Sequence, residues 1–163
     1  MKVRARTPFQ ADADKLAAEI QKLGGKVERD EKAPGKPITV VNFATLKIED
    51  GALDTVKGLD KITKLSLNGT PITDAGLEKL KGLTSLQKLY LVDTKVTDAG
   101  LEHIKGLENL QVLSLVGTGV TDAGLEHIKA MKGLKELFLF GAKVGDDAAK
   151  ALKEARPELK IDR

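Results

Sequence analysis

The chain has 163 residues, 41% of them hydrophobic, which suffices for one domain with a continuous core and is ordinary for a soluble protein. Its 27 basic and 24 acidic residues leave a net charge of +3, too balanced to point to a nucleic-acid or membrane partner, and the absence of cysteine excludes disulfides and thiolate metal sites in any compartment. No run approaches the ~20 apolar residues that span a bilayer. The basic start MKVRARTPFQ lacks the apolar stretch of a secretory signal, so the expectation is a soluble chain, cytoplasmic or exported with its signal removed.

In chain order, Ala13, Leu16, Ala17, Ile20 and Leu23 recur at helical spacing. They predict an amphipathic helix from Gln10 to Leu23, with Asp12 and Asp14 near its start and Gly24-Gly25 as its stop. Val27 to Asp30 reads as a short extended piece. Lys32 to Pro37 reads as a turn, because Pro34 and Pro37 fix φ while Gly35 frees it. Ile38 to Ala44 reads as a strand.

From there the sequence repeats. A degenerate unit runs from Ile48 to Pro71, with Leu53, Val56, Leu59, Ile62, Leu65, Leu67 and Thr70 in the same apolar and polar places as the regular units after it. Those regular units start at Ile72, Val96 and Val120, every 24 residues and without a gap. Val41 and Phe43 stand one period before Leu65 and Leu67, so the first strand shares the register. A last segment, Val144 to Arg163, begins alike, replaces the common Asp-Ala-Gly-Leu with Asp146-Asp147-Ala148-Ala149, and ends in a short strand at Leu159 to Ile161. A fixed period of this size carrying Leu-x-x-Leu-x-Leu predicts a right-handed α/β solenoid. Its parallel sheet, of about five strands centred near Val41, Leu65, Leu89, Leu113 and Leu137, lines the concave face, and its helices form the convex face. The expected organisation is a single domain: residues 1–37 as N-terminal cap, 38–143 as repeats and 144–163 as C-terminal cap, since bare end repeats would expose core leucines and sheet edges.

Within each repeat, Leu-x-Leu alternates with outward positions, the period of a half-buried strand. Thr73, Thr97 and Thr121 are expected to cap the following helices, each with an Asp where the helix dipole favours an anion. Gly82 and Gly106 are expected to end two of them. Leu77, Leu80, Leu101, Ile104, Leu125 and Ile128 point inward at helical spacing. Glu78, Lys79, Glu102, His103, Glu126 and His127 point outward. Gly76, Gly100 and Gly124 lie inside helices, where glycine costs about 1 kcal/mol relative to alanine. Three copies at one period argue for architecture over a functional glycine loop, and closer approach of neighbouring helices is the expected compensation.

The Thr-Asp-x-Gly-Leu helix start combined with Leu-x-x-Leu-x-Leu resembles the cysteine-containing subclass of leucine-rich repeats, known from substrate-recognition subunits of F-box ubiquitin ligases. With Gly-Thr in place of the cysteine and the cap sequence Lys-Leu-Gly-Gly-Lys-Val, it is more similar to bacterial leucine-rich repeat proteins of the planctomycete kind. The resemblance covers residues 38–163 and, loosely, the cap. It implies a binding scaffold and supplies no catalytic residues, and without an F-box-like segment no ligase-adaptor role is carried over. Thr70, Thr94 and Thr118 stand where many such repeats have asparagine bonding loop backbone groups, and their hydroxyls are expected to do part of that work.

His103 and His127 share a column on successive helices, each after a glutamate. Zinc wants three or four ligands in a closed geometry, so the pair reads as helix decoration. The sequence contains no phosphate loop and no nucleophile-base constellation, so neither a cofactor nor an enzyme activity is expected. Most basic residues, such as Lys79, Lys81, Lys105, Lys129 and Lys132, lie on helices beside glutamates. The strand face offers only Lys64 and Lys88, which argues against nucleic acid.

The informative residues are outward on the strands: Val40, Asn42, Ala44; Lys64, Ser66, Asn68; Lys88, Tyr90, Val92; Val112, Ser114, Val116; Glu136, Phe138, Phe140. The chain has one tyrosine, four phenylalanines and no tryptophan, and three of these five aromatics fall in the outward set. A contiguous apolar group facing solvent favours a binding surface. The competing readings are a C-terminal cap folded over Phe138 and Phe140, or β-propensity alone. The candidate binding residues are Lys64, Lys88, Tyr90, Val92, Val112, Val116, Glu136, Phe138 and Phe140, with the lysines at one end and Glu136 at the other giving a charge direction. The expected function is a non-catalytic scaffold that binds a protein or peptide on the concave face, as a monomer with at most weak self-association. The alternative is a structural spacer or assembly element with no ligand there.

Overall fold

The computed structural model describes residues 8–163, with side chains from residue 12 onward. The basic start at 1–7 and the matching part of the expected cap lie outside the described residues.

The first helix, α1, spans Pro8–Lys22, so Asp12 and Asp14 fall in its second turn and not at its start. It stops as its glycines predict. Gly24 turns left-handed at φ 87, its N–H donates to the Gln21 carbonyl, and the Gly25 N–H donates to that of Ile20, both at 2.9 Å. The chain then reverses into β1 (Lys26–Arg29), which pairs antiparallel with β2 (Ile38–Asn42). Arg29 ties this strand to α1 through Asp14 at 2.9 Å and the Ala13 carbonyl at 3.3 Å.

Five further strands follow in parallel: β3 (Lys64–Ser66), β4 (Lys88–Tyr90), β5 (Val112–Ser114), β6 (Glu136–Phe138) and β7 (Lys160–Asp162). The sheet therefore has seven strands in sequence order, six parallel and the first antiparallel, against about five expected. Both extra strands come from the ends. Every parallel pair steps by one repeat: Val41, Leu65, Leu89, Leu113, Leu137 and Ile161 stand side by side.

A turn of 24 residues that must supply a strand and two corners leaves room for little helix on the return. The first repeat returns through a 3-10 helix at Asp50–Val56, and the next through α2 (Asp74–Glu78) and α3 (Asp98–Ile104). A 3-10 turn at Asp122–Gly124 runs into α4 (Leu125–Ala130), and α5 (Asp146–Ala155) closes the row. Each of these elements packs on the next, and α1 packs on the 3-10 helix. Helices this short are not stable alone. Their stability comes from the layer between helices and sheet, where Leu77, Leu80, Leu101, Ile104, Leu125 and Ile128 meet Leu65, Leu89, Leu113 and Leu137, all buried as their spacing predicts.

The two corners are built differently. At the helix starts, an aspartate of each repeat reaches into the next. Asp50, Asp74 and Asp98 accept the backbone N–H and the hydroxyl of Thr73, Thr97 and Thr121 at 2.6–2.8 Å. The sequence predicts these threonines as caps of their own helices; Thr73 and Thr121 accept from Ala75 and Ala123 N–H at 3.3 Å, and Thr97 makes no such bond. Their hydroxyls serve mainly as donors between repeats. In the last step Asp122 receives only the Gly145 N–H, at 2.7 Å. This ladder also explains the helical glycines: a Cβ on Gly76, Gly100 or Gly124 would stand 2.5, 2.4 or 2.3 Å from an Oδ1 of Asp50, Asp74 or Asp98. The close approach is thus between neighbouring helices, as expected: Asp74 and Leu77 of α2 stand against Gly100, and Asp98 and Leu101 of α3 against Gly124.

At the strand ends, Thr45, Gly69, Asp93, Gly117 and Gly141 form a column one period apart with φ between 53 and 73°. Three of the five are glycine because this left-handed turn is strained for other residues. Behind it, the buried Thr70, Thr94 and Thr118 donate to the Leu67, Leu91 and Leu115 carbonyls at 2.6–2.8 Å, closing each turn locally and not across repeats. Gly82 and Gly106 do not adopt the left-handed conformation, and α2 ends at Glu78, well before Gly82. The chain after α2 tightens into 3-10 turns, with Lys79 N–H bonding the Gly76 carbonyl, whereas α3 ends at Ile104 with Lys105 N–H bonding the Leu101 carbonyl, directly before Gly106.

The last turn is closed by Arg156, 9% exposed, whose guanidinium donates to the carbonyls of Met131, Lys132 and Leu134 at 3.0–3.2 Å and to Glu158. Among the described residues no helix is long and apolar enough to cross a membrane.

Candidate functional site

The outward side chains of the sheet fall into three rows, because each strand contributes alternate residues in a fixed register. The first row runs Glu28, Val40, Lys64, Lys88, Val112, Glu136, Lys160. The second runs Asn42, Ser66, Tyr90, Ser114, Phe138, Asp162. The third lies beyond the strand ends and runs Asn68, Val92, Val116, Phe140, set by N–H bonds from Gly69 to Val92, Asp93 to Val116 and Gly117 to Phe140 at 2.7–2.9 Å.

These registers bring most of the candidate residues together. Val92, Val116 and Phe140 are consecutive in the third row, while Tyr90 and Phe138 flank Ser114 in the second. Ser66 and Ser114 are 7% and 4% exposed although they stand on the outward face, between larger neighbours. Tyr90, Val92, Val112, Val116 and Phe138 are half-buried, and Phe140 is 71% exposed. The C-terminal segment does not fold over them: β7 lies edge to edge with β6, pairing Phe138 with Asp162.

The charges are arranged less simply than Lys64, Lys88 and Glu136 alone suggest. Lys64 and Lys88 are direct neighbours in the first row, and the Lys64 Nζ lies 5.6 Å from the centre of the Tyr90 ring. Glu136, however, is followed by Lys160, itself 3.3 Å from Asp162. Glu28 opens the same row at the other end. The row therefore carries a positive centre between two acidic positions, not a single gradient. Stepping one period from Glu136 locates Lys160 in the sequence, whereas Glu28 belongs to an antiparallel strand outside the period. Beside Lys64 lies a cavity of about 280 Å³, lined by Glu28, Val40, Val41, Asn42, Lys64, Ser66, Asn68 and Tyr90.

On the convex side the His127 Nδ1 lies 3.1 Å from Glu102, which also receives Lys105. The Lys105 hydrogen bond, reinforced by the charge of Lys105 and of both histidines, holds the Glu102 carboxyl below the usual range. Among the described residues no three potential ligands gather in a metal-binding group.

The sequence family described as Leucine Rich repeat matches three consecutive segments, residues 60–81, 82–105 and 106–129. No curated protein matches the chain. Among solved structures, the leucine-rich repeat ectodomain of the receptor kinase SOBIR1 from Arabidopsis thaliana is similar at 14% identity and a TM-score of 0.59, over 93% of this chain and 91% of that one. The C-terminal domain of tropomodulin from Caenorhabditis elegans is similar at 15% identity and a TM-score of 0.58, over 93% of each chain. At such identities the likeness concerns the fold. The matched segments and the seven-strand sheet with its row of helices together make this fold an α/β leucine-rich repeat solenoid.

Proposed function

We propose that the chain is one leucine-rich repeat domain, capped by residues 1–37 and 144–163, that works as a non-catalytic, monomeric scaffold binding a protein or peptide across its strand face. The Thr-Asp-x-Gly-Leu helix starts also favour the cysteine-containing-like subclass in its bacterial, planctomycete-type form. The observation that carries the functional reading is the apolar group formed by Tyr90, Val92, Val112, Val116, Phe138 and Phe140. It spans three neighbouring strands, is not roofed by the C-terminal segment, and includes the most exposed large apolar side chain of the described residues, Phe140. Aromatic anchors of this kind dominate binding energy at interfaces. The carboxylates and hydroxyls at the helix corner, by contrast, are consumed in bonds between repeats.

The test is alanine replacement at Tyr90 and Phe138 together, read against peptides selected from a random display library on the intact chain. The expected loss is about 2 kcal/mol or more, roughly thirty-fold in Kd. A selected peptide indifferent to both replacements would leave the spacer reading in its place.

A further inference from the structure

The cavity beside Lys64 has a chemical bias that its residue names conceal. The Asn42 Oδ1 accepts the Ala44 N–H at 2.8 Å, and the Asn68 Oδ1 accepts the Val92 N–H at 3.0 Å. Only a carboxamide oxygen can accept from N–H, so these bonds fix both amide orientations and leave the two NH2 groups as what each side chain has to offer. With Lys64 on the same wall and Lys88 next in the row, the lining is rich in donors and poor in acceptors. Glu28, which also lines the cavity, is the exception.

Among the described residues neither lysine lies within ion-pair distance of a carboxylate, and Lys64 rests on the Tyr90 ring. Like charges facing each other across a strand pair disfavour the free state. A single anion between them would relieve that repulsion and form charge-assisted hydrogen bonds. Its extent is bounded. Glu28 stands two strands before Lys64 and Glu136 two strands after Lys88, about 10 Å away on each side. That spacing suits a lone carboxylate and repels a polyanion such as a nucleic-acid backbone.

We propose that this end of the strand face captures the aspartate or glutamate side chain of an extended peptide whose apolar residues lie on Tyr90, Val116 and Phe138. The inference rests on the strand face being the interaction face. From β3 to β6 is about 14 Å, so the acid and the outermost aromatic residue of the peptide should be separated by about four residues.

The test uses peptides selected from a random display library on the full chain and on Lys64→Gln/Lys88→Gln, after circular dichroism confirms that the variant folds. Peptides selected on the unmodified chain should share an acidic residue at about that spacing from an aromatic one. Replacing the acid by its amide should weaken binding about ten-fold on the unmodified chain and less than about two-fold on the double variant. Amidating the peptide C-terminus should have no effect. Selected peptides without an acid, an amide effect of equal size on both proteins, or loss on C-terminal amidation alone would each overturn the proposal. In those cases the strand-face reading stands if Tyr90→Ala/Phe138→Ala still weakens binding. Failure to select any peptide overturns both.

Discussion

The helix-start corner and the strand face of the same repeats follow opposite rules. At the corner the residues recur: Asp50, Asp74, Asp98 and Asp122 each hold the next repeat, and the glycine that clears room for the carboxylate recurs with them at 76, 100 and 124. On the strand face the backbone register is just as regular while the side chains are not, running Asn, Ser, Tyr, Ser, Phe, Asp along one row. A position that repeats is serving the contact between neighbours, which every repeat must make. A position that varies over an invariant backbone is released from that duty, and its chemistry is available to distinguish one ligand from another. The corner and the core hold the strand face still.

The sharpest division between the two kinds of position should appear in stability. Leu113, fully buried in the central strand, should cost about 2 to 5 kcal/mol as Leu113→Ala, whereas the exposed Glu102→Ala should stay within about 0.5. Denaturant melts with comparable losses for both would erase the distinction between inward and outward faces.

The corner gives a test of sign. Helix propensity alone predicts that Gly100→Ala stabilises by about 1 kcal/mol. The Asp74 carboxylate, 2.4 Å from the added Cβ, predicts instead a loss of about 1 to 3 kcal/mol, because the ladder must yield. In an Asp74→Ala background much of that loss should disappear, which a double-mutant cycle measures directly. A stabilised Gly100→Ala would show that the ladder gives way freely.

The smallest effect is electrostatic. Asp54 is held below the usual carboxylate range by its hydrogen bonds from Lys57 and then Lys79, Glu102 by that from Lys105, and Glu158 by that from Arg156. A folded-state pKa below the unfolded one adds stability that is complete above the unfolded value and is lost as pH falls through the folded value. Stability should therefore decline as pH drops below about 4, modestly because all three groups are exposed, and less steeply at high salt. Stability that stays flat as pH falls through the carboxylate range would show that the ion pairs of these three carboxylates contribute nothing.

The sequence reveals some of these features and hides others, for physical reasons. The period and the Leu-x-Leu alternation are statements about burial, and burial is what fixes the register; hence the strands, the inward leucines and the outward rows can be read directly. The Asp–Thr ladder is hidden because its partners lie 23 residues apart, and the same residues make a convincing cap within one helix. The left-handed column is obscured by Thr45 and Asp93, which occupy positions otherwise held by glycine. The cavity is harder still, since it depends on Glu28 from an antiparallel strand outside the period and on amide orientations set by loop N–H groups. Arg156 is visible only as a residue before proline. Its burial against carbonyls of the preceding turn is a contact that no spacing announces.

Whether the varied strand face, and not the periodic helical face, meets the partner is read most directly from backbone amide and methyl chemical shifts recorded during titration with a selected peptide. The largest changes are expected at Tyr90, Val92, Val112, Val116, Phe138 and Phe140, with Glu78, Glu102 and Glu126 on the helices unmoved. Changes concentrated on the helices, with the strand-face valines still, would contradict a binding role for the sheet.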